Sequence, residues 1–184
     1  IIVSTESEKI AKIAIKYGAE VPFLRSKKLA DSKTHVEKAT IDCLKRVEKL
    51  YEEKYDIVIQ LMPNSPLRNA NDIKSAYRNF IKQKAFTQIS CILPNGINPW
   101  WSFKIENHKV KRLFPKLYSV RSQDLDKLYC PTGAIWISKS AELKKKNTFI
   151  SKHLIAHKLD WINGIDIDTP EDLDMAKILM KLSK

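Results

Sequence analysis

An α/β fold of three layers, with a mostly parallel sheet and helices on both faces, is what the pattern of this sequence predicts. Short β-branched runs alternate with amphipathic stretches of ten or more residues, and the run "YDIVIQL" is continuously apolar. A half-exposed strand would alternate polar and apolar residues, whereas a strand covered on both faces need not. The chain has 184 residues, a length that suits one domain with a single core. One domain over residues 1–184 is therefore expected, with residues 94–130 as a hairpin insertion.

The elements follow in order. "IIVS" reads as a short strand, and "TESEKIAKIAIKYG" as a helix with Ile10, Ile13, Ala14 and Tyr17 at helical spacing and Gly18 as its stop. "EVPFLR" is a second short strand. From Thr34 an amphipathic helix carries Val36, Ala39, Ile41, Leu44, Val47 and Leu50, and "YDIVIQL" follows as a buried strand. The prolines of "MPNSPLRNANDI" force a loop, and Asn69 with Asp72 forms a capping pair for a helix through Lys82. "FTQISCIL" is a strand, and "NPWWSFKIENHKVKRLF" contains two short runs around a polar turn, the mark of a hairpin. "GAIWIS" is a strand, "KSAELKKKN" a short helix, "HLIAHKL" and "WINGIDI" strands, and "PEDLDMAKILMKL" the closing helix.

Composition excludes several classes. No apolar run approaches the roughly 18 to 20 residues of a membrane span, and the first ten residues lack a signal peptide's pattern. A soluble cytoplasmic chain without a membrane partner is expected. Cys43, Cys91 and Cys130 are an odd, widely spaced set, consistent with a reducing compartment. The net charge of +12 would suit an anionic partner. Its lysines are dispersed at helix-surface spacings, so a solvated surface is favoured over a nucleic-acid face.

In α/β sheets ligands sit beyond the carboxyl ends of the strands, which directs attention to "STES", "MPNSPLR" and "DIDT". In "NSPLR", Asn64, Ser65 and Arg68 lie in a loop stiffened by two prolines; Arg68 suits a phosphate or carboxylate, or the loop is a plain helix entry. Ser65 has no evident His/Asp partner for nucleophilic catalysis. Arg121, Gln123 and Tyr129 are either ligand contacts or parts of a capped turn. His153 and His157, four apart in the same expected strand, lack a third partner for a metal. In "INGIDIDTPEDL", period-two geometry puts Asp166 and Asp168 on one strand face. Two such carboxylates repel unless a cation or donors lie between them, and hard oxygen ligands suit Mg²⁺; a solvated strand edge is the alternative. Thr169, Pro170 and Asp172 are explained by helix initiation alone.

Taken together, "VSTESEKIAKIAIKYGAEVPFLR", "MPNSPLR", "RSQDL", "YCPTGAIWI" and "IDIDTPEDLDMA" resemble, in order and over nearly the whole chain, the motifs of the acylneuraminate cytidylyltransferases. The resemblance implies a nucleotide-diphospho-sugar transferase-like fold. It also implies transfer of CMP from CTP to the C2 hydroxyl of a sialic-acid-like nonulosonic acid, with release of pyrophosphate. Asp166 and Asp168 then take the family's metal-binding acidic positions, for Mg²⁺. Arg25 matches a residue beside the cytidine, Asn64, Ser65 and Arg68 the nucleotide-side loop, and Arg121 and Gln123 the segment that meets the sugar acid. The tryptophan-rich hairpin matches a region that reaches across a homodimer.

There are departures. The family's Arg- and Lys-bearing Gly-Ser loop has no counterpart in these residues, so either a segment upstream of Ile1 supplies it or the chain is a degenerate homologue that does not bind CTP in the usual way; the first is the expectation. Met62 and Asn64 replace a glutamine and a threonine of the usual "QPTSPLR" pattern, with Gln60 as the nearest substitute amide, and Thr132 stands where asparagine is common. These changes point toward a legionaminate-like diamino sugar. Rival readings are a 3-deoxy-octulosonate cytidylyltransferase and a non-catalytic basic binding module.

Overall fold

Local sequence chemistry sets the element boundaries in the computed structural model, which describes residues 1–182. The order is α1 (Glu8–Lys16), α2 (Val36–Leu50), β1 (Ile57–Gln60), α3 (Ala70–Lys82), β2 (Thr87–Ile92), β3 (Phe103–Glu106), β4 (Lys109–Arg112), β5 (Cys130–Lys139), α4 (Ser140–Lys146), β6 (Leu154–Lys158) and α5 (Pro170–Leu182). The result is the predicted mixed α/β fold. Ser7 starts α1 by accepting a hydrogen bond from the Ile10 N–H at 3.3 Å. Gly18 ends it with φ +84°, the left-handed conformation that glycine adopts without a Cβ penalty.

Four strands form a sheet in the order β1-β5-β2-β6, while β3 and β4 form a separate two-stranded sheet. β1 and β5 run antiparallel, with Ile57 opposite Lys139 and Gln60 opposite Trp136. Alternation of strands and helices did not announce that reversal. The chain divides into two compact units, one of residues 1–60, 77–88 and 136–155, the other of residues 61–76, 89–135 and 156–182.

In the first unit the apolar face of α2 buries Ala39, Ile41, Leu44 and Val47. Ile41 clusters with Leu143 and Phe149, against which Val58 and Trp136 pack. The Trp136 and Phe149 rings meet edge to face, centroids 5.5 Å apart. "IIVS" and "EVPFLR" run side by side, joined at a parallel bridge between Ile2 and Glu20, without becoming the two expected strands. Pro22 has no N–H to extend such a ladder.

Glu48, on α2, is buried and receives hydrogen bonds from Lys144 Nζ of α4 at 2.6 and 2.7 Å. These hold its carboxyl below the ordinary range, against the opposing push of burial. A depressed carboxylate pKa contributes stability that is complete above the unfolded-state value and is lost as pH falls through the folded one. Glu48→Gln is therefore expected to be less stable than the parent near neutrality, with the gap narrowing below about pH 4. Urea denaturation at pH 7 and at pH 3.5 measures this; an equal gap at both would exclude the ion pair as its source.

In the second unit, the hairpin of β3 and β4 pairs Phe103 with Arg112 and Ile105 with Val110. Asn107 and His108 turn it with positive φ, the geometry whose twist suits a two-residue connection. Tryptophan and phenylalanine support its base: Trp100 meets Phe114 at 5.0 Å between centroids, and Trp100 Nε1 donates to the Asp126 carbonyl at 2.8 Å.

One expected strand is absent. "WINGIDI" is a turn followed by irregular chain. Turn bonds from the Asn163 N–H to the Asp160 carbonyl and from the Ile165 N–H to the Ile162 carbonyl consume the groups that a ladder would use. "HLIAHKL" yields only β6, which begins after His153, so the two histidines do not share a strand. His153 lies against the Phe86 ring in the first unit.

Candidate active site

The site is built in the second unit from three segments: residues 61–69, the start of β5, and residues 163–172. The first is a loop held by its own main chain. Met62 N–H donates to the Gly133 carbonyl at 3.2 Å, and Ser65 N–H donates to the Met62 carbonyl at 3.3 Å. Arg68 closes it: Nη1 donates to the carbonyls of both Met62 and Ser65 at 2.6 Å. Burial pushes the Arg68 pKa down, and the nearby Asp166 charge opposes that push.

The loop then enters α3 through the predicted cap. Asn69 Oδ1 accepts from the N–H groups of Asn71 and Asp72, and the Asp72 carboxylate accepts from the Asn69 N–H at 2.8 Å. Asp72 also receives Asn163 Nδ2, at 3.0 and 3.2 Å to its two oxygens. That bond anchors the turn leading to the "DIDT" segment.

Asp166 and Asp168 reach the loop without being on a strand. Ser65 Oγ donates to Asp166 Oδ1 in a short bond, and Gly133 N–H donates to Asp166 Oδ2 at 3.2 Å. Ile167 N–H donates to the Asn64 carbonyl at 2.8 Å, while Asn64 Nδ2 lies 3.4 Å from Asp168 Oδ1. Asp166 is thus fixed through both oxygens, whereas Asp168 is exposed and has one long bond. The next residues cap α5: the Asp172 carboxylate accepts from the N–H groups of Asp168 and Thr169, which hold it below the ordinary range.

Close packing holds the segments in place. A Cβ on Gly164 would lie 2.4 Å from Ile92 Cγ2 and 3.1 Å from Thr132 Cγ2. Gly164→Ala is accordingly expected to destabilise the protein by about 1–3 kcal/mol through overpacking; an unchanged thermal midpoint would refute it.

The structure brings Asn64, Ser65, Arg68, Asp166 and Asp168 together. Thr132 is buried, its hydroxyl 2.9 Å from that of Ser90. Arg121 Nε donates to Asp124 at 2.7 Å beside the short turn that contains Gln123. The Tyr129 ring lies beneath Lys158 Nζ, 5.0 Å from its centroid. Arg25 and Gln60 belong to the first unit. There Arg25 Nη2 donates to Glu6 at 2.7 Å and Thr40 Oγ1 donates to Gln60 Oε1 at 2.5 Å.

Two participants had no sequence signature: the Gly133 N–H, a main-chain donor, and the Arg68 bonds to carbonyls. Among the described residues no group of three or more His, Cys, Asp or Glu side chains gathers as a metal cage. The donor set of two carboxylates, one of them exposed, fits Mg²⁺, which keeps several waters and takes further oxygens from substrate phosphates.

The fold has solved counterparts. It matches a solved CMP:2-keto-3-deoxy-manno-octonic acid synthetase, complexed with CTP, at a TM-score of 0.66 over 100% of this chain and 81% of the other, with 11% sequence identity. No family model matches the chain. Relatives are more specific. The chain is 32% identical to a pseudaminic acid cytidylyltransferase of Campylobacter jejuni, covering 100% of this chain and 78% of that protein. It is 31% identical to a CMP-N,N'-diacetyllegionaminic acid synthase of Legionella pneumophila, covering 100% of this chain and 79% of that protein. The chain belongs to the acylneuraminate cytidylyltransferase family, whose members are nucleotidyltransferase enzymes. No described helix is long and apolar enough to cross a membrane.

Proposed function

We propose that this protein transfers CMP from CTP to the C2 hydroxyl of a diacylamino nonulosonic acid of the pseudaminate or legionaminate type. The hydroxyl oxygen forms a bond to the α-phosphorus, the bond to the β-phosphate oxygen breaks, pyrophosphate leaves, and the hydroxyl proton passes to solvent. The observation that carries this reading is the pair Asp166 and Asp168, held against Asn64, Ser65 and the Gly133 N–H in a chain of this family.

Asp166 and Asp168 would hold Mg²⁺. When bound, the ion neutralises phosphate charge and orients the reacting oxygens. Ser65 and Gly133 orient the Asp166 carboxylate, and Asn64 steadies Asp168 while its carbonyl holds the intervening Ile167. Arg68 keeps the nucleotide-side loop in one shape through the Met62 and Ser65 carbonyls. Arg121 and Gln123 would meet the sugar acid, as the family resemblance implies.

Pyrophosphate release from CTP with Mg²⁺ and a panel of pseudaminic, legionaminic, N-acetylneuraminic and 3-deoxy-octulosonic acids tests the proposal, using the full-length natural protein. Release with the first two is expected. Preference for the octulosonate would favour the rival sugar, and no release with any acid would sink the transferase reading. Salt-dependent binding of random DNA without CTP binding would instead favour a basic binding module.

We also propose a homodimer through the hairpin. Phe103, Ile105 and Val110 lie on one face of β3 and β4 and are 46%, 71% and 56% exposed, an uncovered apolar strip on an element too small to be stable alone. Ile105→Lys is expected to shift sedimentation toward monomer; an unchanged dimer would place the interface elsewhere.

A further inference from the structure

Asp166 and Asp168 belong to the second unit, and the first unit has a cavity of its own, about 550 Å³ in volume. It lies where β1 begins and β5 passes into α4, with the last turns of α2 as a wall. That volume falls within the range of small-molecule pockets. Its frame is fixed by the protein's own bonds. Ser140 N–H donates to the Asp56 carbonyl at 2.8 Å, which ties the start of α4 to the residue before β1. Lys144 of α4 donates to both oxygens of Glu48 of α2, so a buried ion pair joins the two helices along one wall.

Two adjacent residues of the lining are left without a matching partner. Buried hydroxyls are nearly always hydrogen-bonded. Ser140 is only 4% exposed, yet its Oγ has no hydrogen-bond partner among the described residues. Beside it, Lys139 Nζ lies 4.5 Å from the centroid of the Phe86 ring, which attracts an ammonium without neutralising it. Among the described residues Lys139 forms no ion pair with a carboxylate.

The remaining lining narrows the ligand. Glu48 is matched by Lys144 and, more loosely, by Lys54 at 3.7 Å. Three ammoniums against two carboxylates leave one positive charge in excess. The carboxylates of Glu48 and Asp56 would repel a polyanion such as a triphosphate. Tyr55, Ile57 and Ala141 add apolar surface. A cation and a hydroxyl at consecutive positions beside an apolar wall complement a small anionic head on a flat apolar body.

We infer that this cavity is a second, non-catalytic binding site for a small aromatic anion. Its carboxylate or phosphate head meets Lys139 and Ser140, and its ring lies against Tyr55 and Ile57. The inference goes beyond the transferase reading and does not depend on it, since a chain that bound no CTP would keep the site.

The test is heteronuclear amide NMR of the full-length protein titrated with benzoate, phenyl phosphate, inorganic phosphate and benzyl alcohol. At up to about 10 mM, enough to detect millimolar binding, benzoate or phenyl phosphate is expected to shift the amides of residues 54–57 and 139–144. The amides of Ser65, Gly133 and Asp166 should stay in place. Inorganic phosphate and benzyl alcohol each carry half of the required chemistry and are expected to bind about tenfold more weakly. The tighter of the two aromatic anions identifies the head group that the site takes. Lys139→Met should weaken that anion about fivefold or more. Ala141→Trp, at an exposed position, should abolish its binding by filling the cavity. Shifts confined to Ser65, Gly133 and Asp166 would assign the anion to the site around the aspartates and overturn the inference. Silence with both aromatic anions, equal binding of benzyl alcohol, or parental affinity in both variants would overturn it too. Thermal midpoints establish that the variants are folded, and if Ala141→Trp is not, Lys139→Met decides alone.

Discussion

Asp168→Asn is expected to lower turnover by about 10²–10³-fold at limiting Mg²⁺ while leaving the thermal midpoint nearly unchanged. The asymmetry follows from how the residue is held. Its side chain is exposed and makes one long contact, 3.4 Å from Asn64, so little folding free energy rests on it. Its main-chain N–H donates to Asp172 and is unaffected by the substitution. Removing the negative charge instead would weaken the attraction for the proposed Mg²⁺, which phosphates would share. Raising Mg²⁺ should restore part of the lost rate, and a titration of rate against Mg²⁺ measures it. Parental activity throughout that titration would remove Asp168 from the metal site.

Arg68→Met is expected to act in the opposite way, through the fold. Nη1 alone bonds two main-chain carbonyls, at Met62 and Ser65, from a half-buried position. Methionine fills similar space but donates nothing, so both carbonyls lose a charged donor, destabilising the protein by about 3 kcal/mol. Because Ser65 also donates to Asp166, the loosened loop should lower turnover as well. Chemical denaturation read beside kinetics decides the matter. A normal denaturation midpoint combined with a raised KM for CTP would make Arg68 a direct nucleotide contact rather than a clasp on the loop.

These two cases show what could be read from one-dimensional pattern. The caps were legible because they are local: Asn69 with Asp72, and Thr169 with Asp172, sit three positions apart and bond as such spacing requires. β1 and β2 were legible as apolar runs. Residues 161–168 were misread because their alternation of isoleucine and polar residues is also compatible with irregular chain whose side chains alternate between core and loop. Ile165 is buried there, and Asp166 turns to Ser65 and Gly133. Both segments were marked as lying at the ligand edge of the sheet, but the aspartates were expected side by side on a strand face, and their contacts with Ser65, Gly133 and Asn64 were not anticipated. The Gly133 N–H and the direction of β5 depend on contacts between segments far apart in sequence, and no spacing within a single segment encodes them.

The position of the hairpin within the sheet order has an evolutionary consequence. Residues 93–129 leave from the end of β2 and return at the start of β5, and those strands are neighbours. Lengthening or exchanging such an excursion adds little closure entropy, because its two ends are already together. The acids at 166 and 168 and the loop at 61–69 are secured by other stretches of chain. Lineages can therefore diversify what this excursion touches, whether another subunit or a different sugar, while inheriting the phosphate chemistry unaltered.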